Sequence, residues 1–312
     1  MAVTARSLFK SYGGLAAVDG IDLDVEAGKV FGFLGPNGAG KSTTIKLLTT
    51  LIPPTSGSIE ILGINAIKNP LDVRKKIGVV LQQPSYEPNL SVEKSLEKYG
   101  MMWDVDKKTR RQRTDELIDV FDLNEIRKKK NEDLSIGQRR RVQVAREFMH
   151  EVDLLFLDEP TVGLDPSARR RLLDYLKDKA KSGLTIFYTT HVLTEAEYLC
   201  DEIAVINKGK ILAVDTPDQL KSTFGQEKTI KIHLSNKYDN LTHILLGIKG
   251  CAIDFNTGTD IIIQSNKAEI VLSQVLSILI ENNIPIEDLS AMPTTLEEIF
   301  LKMVKDTNAS NN

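Results

Sequence analysis

Cysteine is scarce: Cys200 and Cys251 are the only two in 312 residues. They are too few and too far apart for a disulfide framework or a zinc site, and they fit a reducing compartment. No stretch approaches the ~18 apolar residues a membrane span needs. The longest candidate, Ile270–Ile280, is interrupted by polar residues at helical spacing and predicts an amphipathic core helix. The opening Met1–Ser7 has no apolar core, so no signal peptide is expected. A formal net charge of −3 gives no reason to expect non-specific DNA binding or a strongly basic membrane-facing surface. Heptad runs are missing too. These absences predict a soluble chain that reaches a membrane only through a partner. Length predicts two domains and a substantial core. Residues 223–312 carry net −4 and the remainder net +1, so a mildly acidic piece follows a neutral one.

What the chain does contain is organised around Gly35-Pro36-Asn37-Gly38-Ala39-Gly40-Lys41-Ser42-Thr43, which matches G-x-x-x-x-G-K-[ST]. The apolar run Val30–Leu34 predicts a buried strand before it, and Thr44–Leu51 a helix after it. Glycines let the backbone turn tightly and aim successive N–H groups inward, and the helix start adds its positive end, so the stretch predicts a phosphate cradle. Lys41 is placed to reach the outer phosphates and the Ser42 hydroxyl to coordinate Mg²⁺.

Around the loop the pattern is that of an α/β fold. Residues 1–30 alternate apolar and polar positions, predicting an antiparallel β layer. Tyr12 could stack on a nucleotide base or pack within its strand. Arg74–Gln82 predicts a buried strand whose end presents Gln82, able to bind Mg²⁺ and orient a water; Gln83 beside it leaves the register open by one. Residues 84–133 show no strand pattern and predict helices from Ser91 through Trp103 and from about Thr109 to Phe121, with Arg127–Lys130 as a solvated charge run. Ser135 with Gln138 fits a capping box, which starts the basic helix Arg139–Arg146 with amides free for an anion. Val152–Asp158 reads as an apolar strand ending in two acids, Asp158 for the Mg²⁺ shell and Glu159 to take a proton from an attacking water. Leu184–Thr190 is the next buried strand, with His191 at its end.

In this order the motifs resemble the ATP-binding cassette (ABC) ATPase family over roughly residues 1–222. Tyr12 matches the adenine-stacking aromatic, Gly35–Thr43 Walker A, Gln82 the Q-loop, and Leu134–Gln138 the signature. Leu154–Asp158 with Glu159 matches Walker B, Asp165 lies in the D-loop, and His191 is the switch. The signature is usually Leu-Ser-Gly-Gly-Gln; here Ile136 replaces the first glycine, while Ser135 and Gly137, which meet the phosphate in family members, are kept. The resemblance implies a P-loop NTPase with a RecA-like core, an antiparallel β layer and a helical insert at about 84–150. It implies a Mg·ATP-dependent transport ATPase that pairs head to tail with a second copy. Each ATP then touches Lys41 and its loop in one chain and Ser135, Gly137 and Gln138 in the other. Partners would be integral membrane permease subunits, with the protein peripheral on the cytoplasmic face and no nucleic acid expected. The alternative is a soluble ABC ATPase acting on nucleic acid or ribosomes. Against it, such proteins generally carry tandem cassettes or a long coiled coil. A degenerate regulatory cassette is disfavoured by intact Lys41, Asp158, Glu159 and His191.

Residues 223–307 predict a small α+β domain: strand Lys228–Ser235, helix Asp239–Gly247, a hairpin around 256–260, helix Lys267–Asn282, strand Ile284–Ser290 and a capped helix Pro293–Met303, then a polar tail at 308–312. With Thr295–Phe300, this layout is similar to the C-terminal extension of daunorubicin-resistance-type exporter ATPases. His233 and His243 are expected to pack or face solvent, and the extension to support or regulate the dimer.

Overall fold

The computed structural model describes residues 1–312 except 84, 225–227, 239–240, 242–244, 246–247, 249–250, 257–258, 266, 293–294 and 310–312. By contacts the chain divides into two compact units, Met1–Thr216 and Pro217–Asn312.

The first unit has two sheets. β1 (Val3–Tyr12), β2 (Leu15–Val25), β4 (Ser56–Ile61) and β5 (Ile64–Asn65) form the antiparallel layer in the order β2-β1-β4-β5. Alternating burial along β2 follows from its period-two sequence, with Val18, Ile21, Leu23 and Val25 inward. The second sheet runs β10-β9-β3-β8-β7-β6, made of β3 (Val30–Leu34), β6 (Ile77–Val80), β7 (Leu154–Asp158), β8 (Thr185–Thr190), β9 (Glu202–Asn207) and β10 (Lys210–Asp215). Neighbours from β9 through β6 are parallel and β10 is antiparallel. Strands β3, β7 and β8 are buried at every position, as sequences without alternation require. Phe31, Phe33 and Phe156 each meet Phe187 with ring centroids 5.4–5.6 Å apart, and this aromatic cluster joins the strands into one core.

Helices α1 (Lys41–Leu48), α2 (Pro70–Arg74), α3 (Val92–Met102), α4 (Lys107–Val120), α5 (Ile136–Glu147), α6 (Pro166–Lys181) and α7 (Leu193–Leu199) complete the unit. The insert is helical as expected. Ser91 caps α3 and Asp106 caps α4. Arg127, expected in a solvated run, instead bridges Glu93 and Asp115 and ties the insert together.

His150 follows α5 and stacks on Trp103 at 4.1 Å, with the rings 4° from parallel. Neither ring nitrogen has a hydrogen-bond partner among the described residues. Burial, aided by the charge of Arg113, lowers its pKa from 6.5 to about 4. The unfolded chain therefore takes up a proton between those values that the folded chain refuses. Stability is expected to fall as pH drops from 6.5 towards 4, by on the order of 2 kcal/mol. Urea unfolding across that range checks this, and His150→Phe, which keeps the stacked ring, should flatten the slope.

The second unit holds α8 (Pro217–Phe224), β11 (Lys228–Leu234), β12 (Ala252–Asn256), β13 (Asp260–Ser265), α9 (Ala268–Glu281), β14 (Ile286–Met292) and α10 (Leu296–Ala309). Its sheet is antiparallel in the order β12-β13-β11-β14, the arrangement of a split βαβ sandwich. Ile230, Ile232, Ile261 and Ile263 pack against Val271, Val275 and Leu279 of α9. The helix expected at 239–247 lies mostly outside the described residues, as does His243. His233 is half-exposed on β11, with Nδ1 2.5 Å from Asp260 and Nε2 3.3 Å from Glu287. Pro217–Phe224, placed with the first domain on sequence, groups with this unit and packs against α10.

Candidate functional site

All the strand ends that carry the predicted chemistry lie on one edge of the parallel sheet. β3 feeds the glycine loop, β7 ends at Asp158, β8 at Thr190, and β6 runs into Gln82. That carboxyl edge is where open α/β sheets bind ligands.

The loop between β3 and α1 is shaped by close backbone approach. A Cβ on Gly35 would lie 2.4 Å from the Ile206 carbonyl, and one on Gly40 (φ +111°) 2.5 Å from the Ala17 carbonyl. Gly38 (φ +80°) faces open space. Ala39 N donates to Pro36 O at 3.1 Å, Gly209 N to Ala39 O at 2.9 Å, and Asp19 N to Gly209 O at 2.9 Å. The β9–β10 turn thus pins the loop to the antiparallel layer. Asn37 is exposed, and Ser42 and Thr43 are half-buried at the start of α1. Tyr12 ends β1, half-exposed, with the Lys10 ammonium 5.3 Å from its ring centroid.

Glu159 is the point on which the other groups converge. It is 6% exposed and adopts a left-handed backbone, φ +49°, uncommon for a side-chain-bearing residue. Its N–H is held by the Thr189 carbonyl (3.1 Å) and hydroxyl (3.2 Å). One carboxylate oxygen accepts from Gln82 Nε2 at 3.3 Å and lies 3.4 Å from His191 Nδ1; the other lies 3.7 Å from Lys41 Nζ. Lys41 is buried and donates to the carbonyls of Gly35 (2.7 Å) and Pro36 (3.2 Å). Four residues from four segments therefore share one small volume. Asp158, beside them and buried, accepts from the Thr189 hydroxyl at 2.7 Å.

Ser135 and Gln138 form the expected capping box: Gln138 N donates to the Ser135 hydroxyl at 3.2 Å, and Ser135 N to the Gln138 side chain at 3.0 Å. Ser135 and Ile136 are exposed, Ile136 at 69%. Gly137 packs on the turn after Glu159, where an added Cβ would sit 2.5 Å from Gly163 O. Asp165 is exposed and caps α6, accepting from Ala168 N at 3.0 Å. Backbone hydrogen bonds, that of Ala168 first, lower its pKa.

Sequence reasoning missed the residues that hold these groups in place. Arg140, buried, donates to the carbonyls of Leu81 (2.7 Å) and Gln82 (2.8 Å). Gln143 reaches Leu81 O (3.4 Å), and Arg146 binds Ser85 through O (3.1 Å) and Oγ (2.8 Å). Helix α5 thus clamps the segment after β6 at Leu81, Gln82 and Ser85. The spacing 140, 143, 146 was the available signal, since steps of three make these polar residues neighbours along α5, though it does not name their partners. Thr189 looked like an ordinary β-branched strand residue.

The family model for ABC transporter matches residues 18–162. A daunorubicin resistance ATP-binding protein, DrrA3, of Streptomyces coeruleorubidus is 35% identical over 98% of this chain and 96% of its own length. The bacitracin transport ATP-binding protein BcrA of Bacillus licheniformis is 32% identical over 97% of each chain. Among solved structures, an ATP-binding subunit of an ABC transporter superposes with a TM-score of 0.67 at 28% identity, covering 72% of this chain and 94% of that one. The ATP-binding cassette MJ0796, dimeric in a post-hydrolysis state bound to ADP and Pi, gives 0.65 at 25% identity over 69% of this chain and 98% of that one.

Proposed function

This chain belongs to the ABC transporter family, and from that premise we propose that it energises an exporter as one of a head-to-tail pair. It is an ATP-binding, ATP-hydrolysing subunit. The observation that carries the assignment of the hydrolytic residues is the convergence of Lys41, Gln82 and His191 on the buried Glu159 carboxylate. A base in that position takes the proton of an attacking water, and Gln82 and His191 orient it. Lys41 and the loop amides balance charge on the transferred phosphoryl group. Tyr12 receives the adenine. Ser42, Asp158 and Gln82 supply only oxygen donors, and Asp158 sits buried at a strand end with a neutral hydroxyl on one oxygen, a set suited to Mg²⁺. When bound there, the ion neutralises phosphate charge.

Each ATP lies between the glycine loop of one copy and the Ser135 helix start of the other, with Gly137, Gln138 and Asp165 around it. A cavity of about 270 Å³ beside Gln83, lined by Leu51, Ile77, Leu81, Tyr99 and Trp103, receives a segment of an integral membrane subunit. Met101 and Met102, which directly precede Trp103 at the end of α3, are exposed apolar residues. Arg140 links that groove to Gln82, so closure around ATP is felt by the permease. The chain is thereby peripheral on the cytoplasmic face of the membrane; among the described residues no helix is long and apolar enough to cross one. The second unit supports the pair.

Asn37 and Ile136 are both exposed. One tagged chain carrying Asn37→Cys, mixed with a differently tagged chain carrying Ile136→Cys, should form a disulfide containing both tags only with Mg·ATP. A crosslink indifferent to ATP, or no crosslink between the tags, ends the head-to-tail reading.

A further inference from the structure

Glu195 is a buried acid that none of the roles above uses. It sits in the first turn of α7, four residues after His191, and is 3% exposed. A carboxylate in such surroundings is costly unless donors surround it. Here three hydroxyls converge on its Oε2: Tyr188 at 2.7 Å, Thr190 at 2.9 Å and Thr161 at 3.0 Å. Arg169 Nε lies 3.4 Å from the other oxygen.

The donors come from either side of the reacting centre. Thr161 is two residues beyond Glu159. Tyr188 and Thr190 flank Thr189, which holds both Asp158 and the Glu159 backbone. Thr190 gives its proton to Glu195 and accepts from Val192 N at 2.9 Å, so the backbone on both sides of His191 is fixed through one hydroxyl.

We infer that Glu195 is a positioning residue for hydrolysis: it locks the segment bearing His191 to the turn after Glu159 and sets the 3.4 Å contact between them. This rests on the roles given to Glu159 and His191 above. Gln cannot replace it faithfully. With its carbonyl turned to the three hydroxyls, its amide faces Arg169, donor against donor; turned round, the amide meets the hydroxyls.

The test uses the full chain. Glu195→Gln should lower kcat by about 10- to 100-fold with KM and ATP affinity within about twofold. In a His191→Ala background the same change should cost less than about twofold, because the contact it serves is already gone. Thr190→Val should reproduce the loss, and Thr190→Ser should restore activity. Equal fold-losses in both backgrounds, a loss residing in KM, or inactive Thr190→Ser overturns the inference. If His191→Ala alone leaves kcat unchanged, the role of His191 fails instead, which separates the two.

Discussion

Glu159→Gln is expected to reduce ATP turnover by about 10²- to 10⁴-fold, the range for removing a positioned general base, while ATP binding survives. The reason lies in which contacts the substitution spares. Glutamine keeps the shape of the side chain, and the backbone bonds from Glu159 to Thr189 do not depend on it. Lys41 retains its donations to Gly35 and Pro36, so the cradle is unaltered. What disappears is the negative charge beside Lys41 and the acceptor that can take a proton. Binding without turnover should accumulate an ATP-bound pair, seen as a doubling of mass by light scattering after gel filtration with Mg·ATP. A variant that stays monomeric at saturating Mg·ATP would contradict the cycle, and one that still turns over at the wild-type rate would remove Glu159 as the base.

Much of this site was legible in the chain because its parts are local. Gly35–Thr43 is one nine-residue motif, although the carbonyls that Gly35 and Gly40 make room for, those of Ile206 and Ala17, come from elsewhere in the chain, and Ser135 with Gln138 cap a helix start three residues apart. Strands β3 and β7 announced themselves by apolar runs, and β8 by its β-branched and aromatic residues. The supporting residues were not legible, because their partners are distant: Arg140 meets Leu81 and Gln82 nearly 60 residues away, and Glu195 meets Thr161 at a separation of 34. No periodicity encodes such pairs. Short elements escaped for another reason: five-residue α2 and two-residue β5 are too brief to show a period. The helix at 217–224 was legible as a helix, but nothing in its pattern says which core its buried Leu220 joins.

Ile136 and Gly137 together test how the signature segment works, and they should respond in opposite ways. Ile136 stands where the family usually has glycine, and its side chain is 69% exposed. Ile136→Gly removes little contact and should change turnover by less than about threefold. Gly137→Ala is different. Its methyl would lie 2.5 Å from Gly163 O, a backbone atom that cannot swing aside as a flexible side chain could. The turn carrying that oxygen is braced by Val162 N on Glu159 O (3.3 Å), by Leu164 N on Thr161 O (3.1 Å), and by the Thr161 hydroxyl on Glu195. Gly163 itself has φ +81°, so the turn has little freedom to adjust. The methyl therefore displaces either the segment after Glu159 or the capped start of α5, and in the proposed head-to-tail pair both face the phosphate. Turnover is expected to fall about 100-fold or more, with monomer ATP affinity within a few-fold because the glycine loop is untouched. Placed in the Glu159→Gln chain, Gly137→Ala should abolish the ATP-dependent doubling of mass. Were that doubling to persist at wild-type ATP concentrations, the α5 start would not be the surface that closes over the nucleotide.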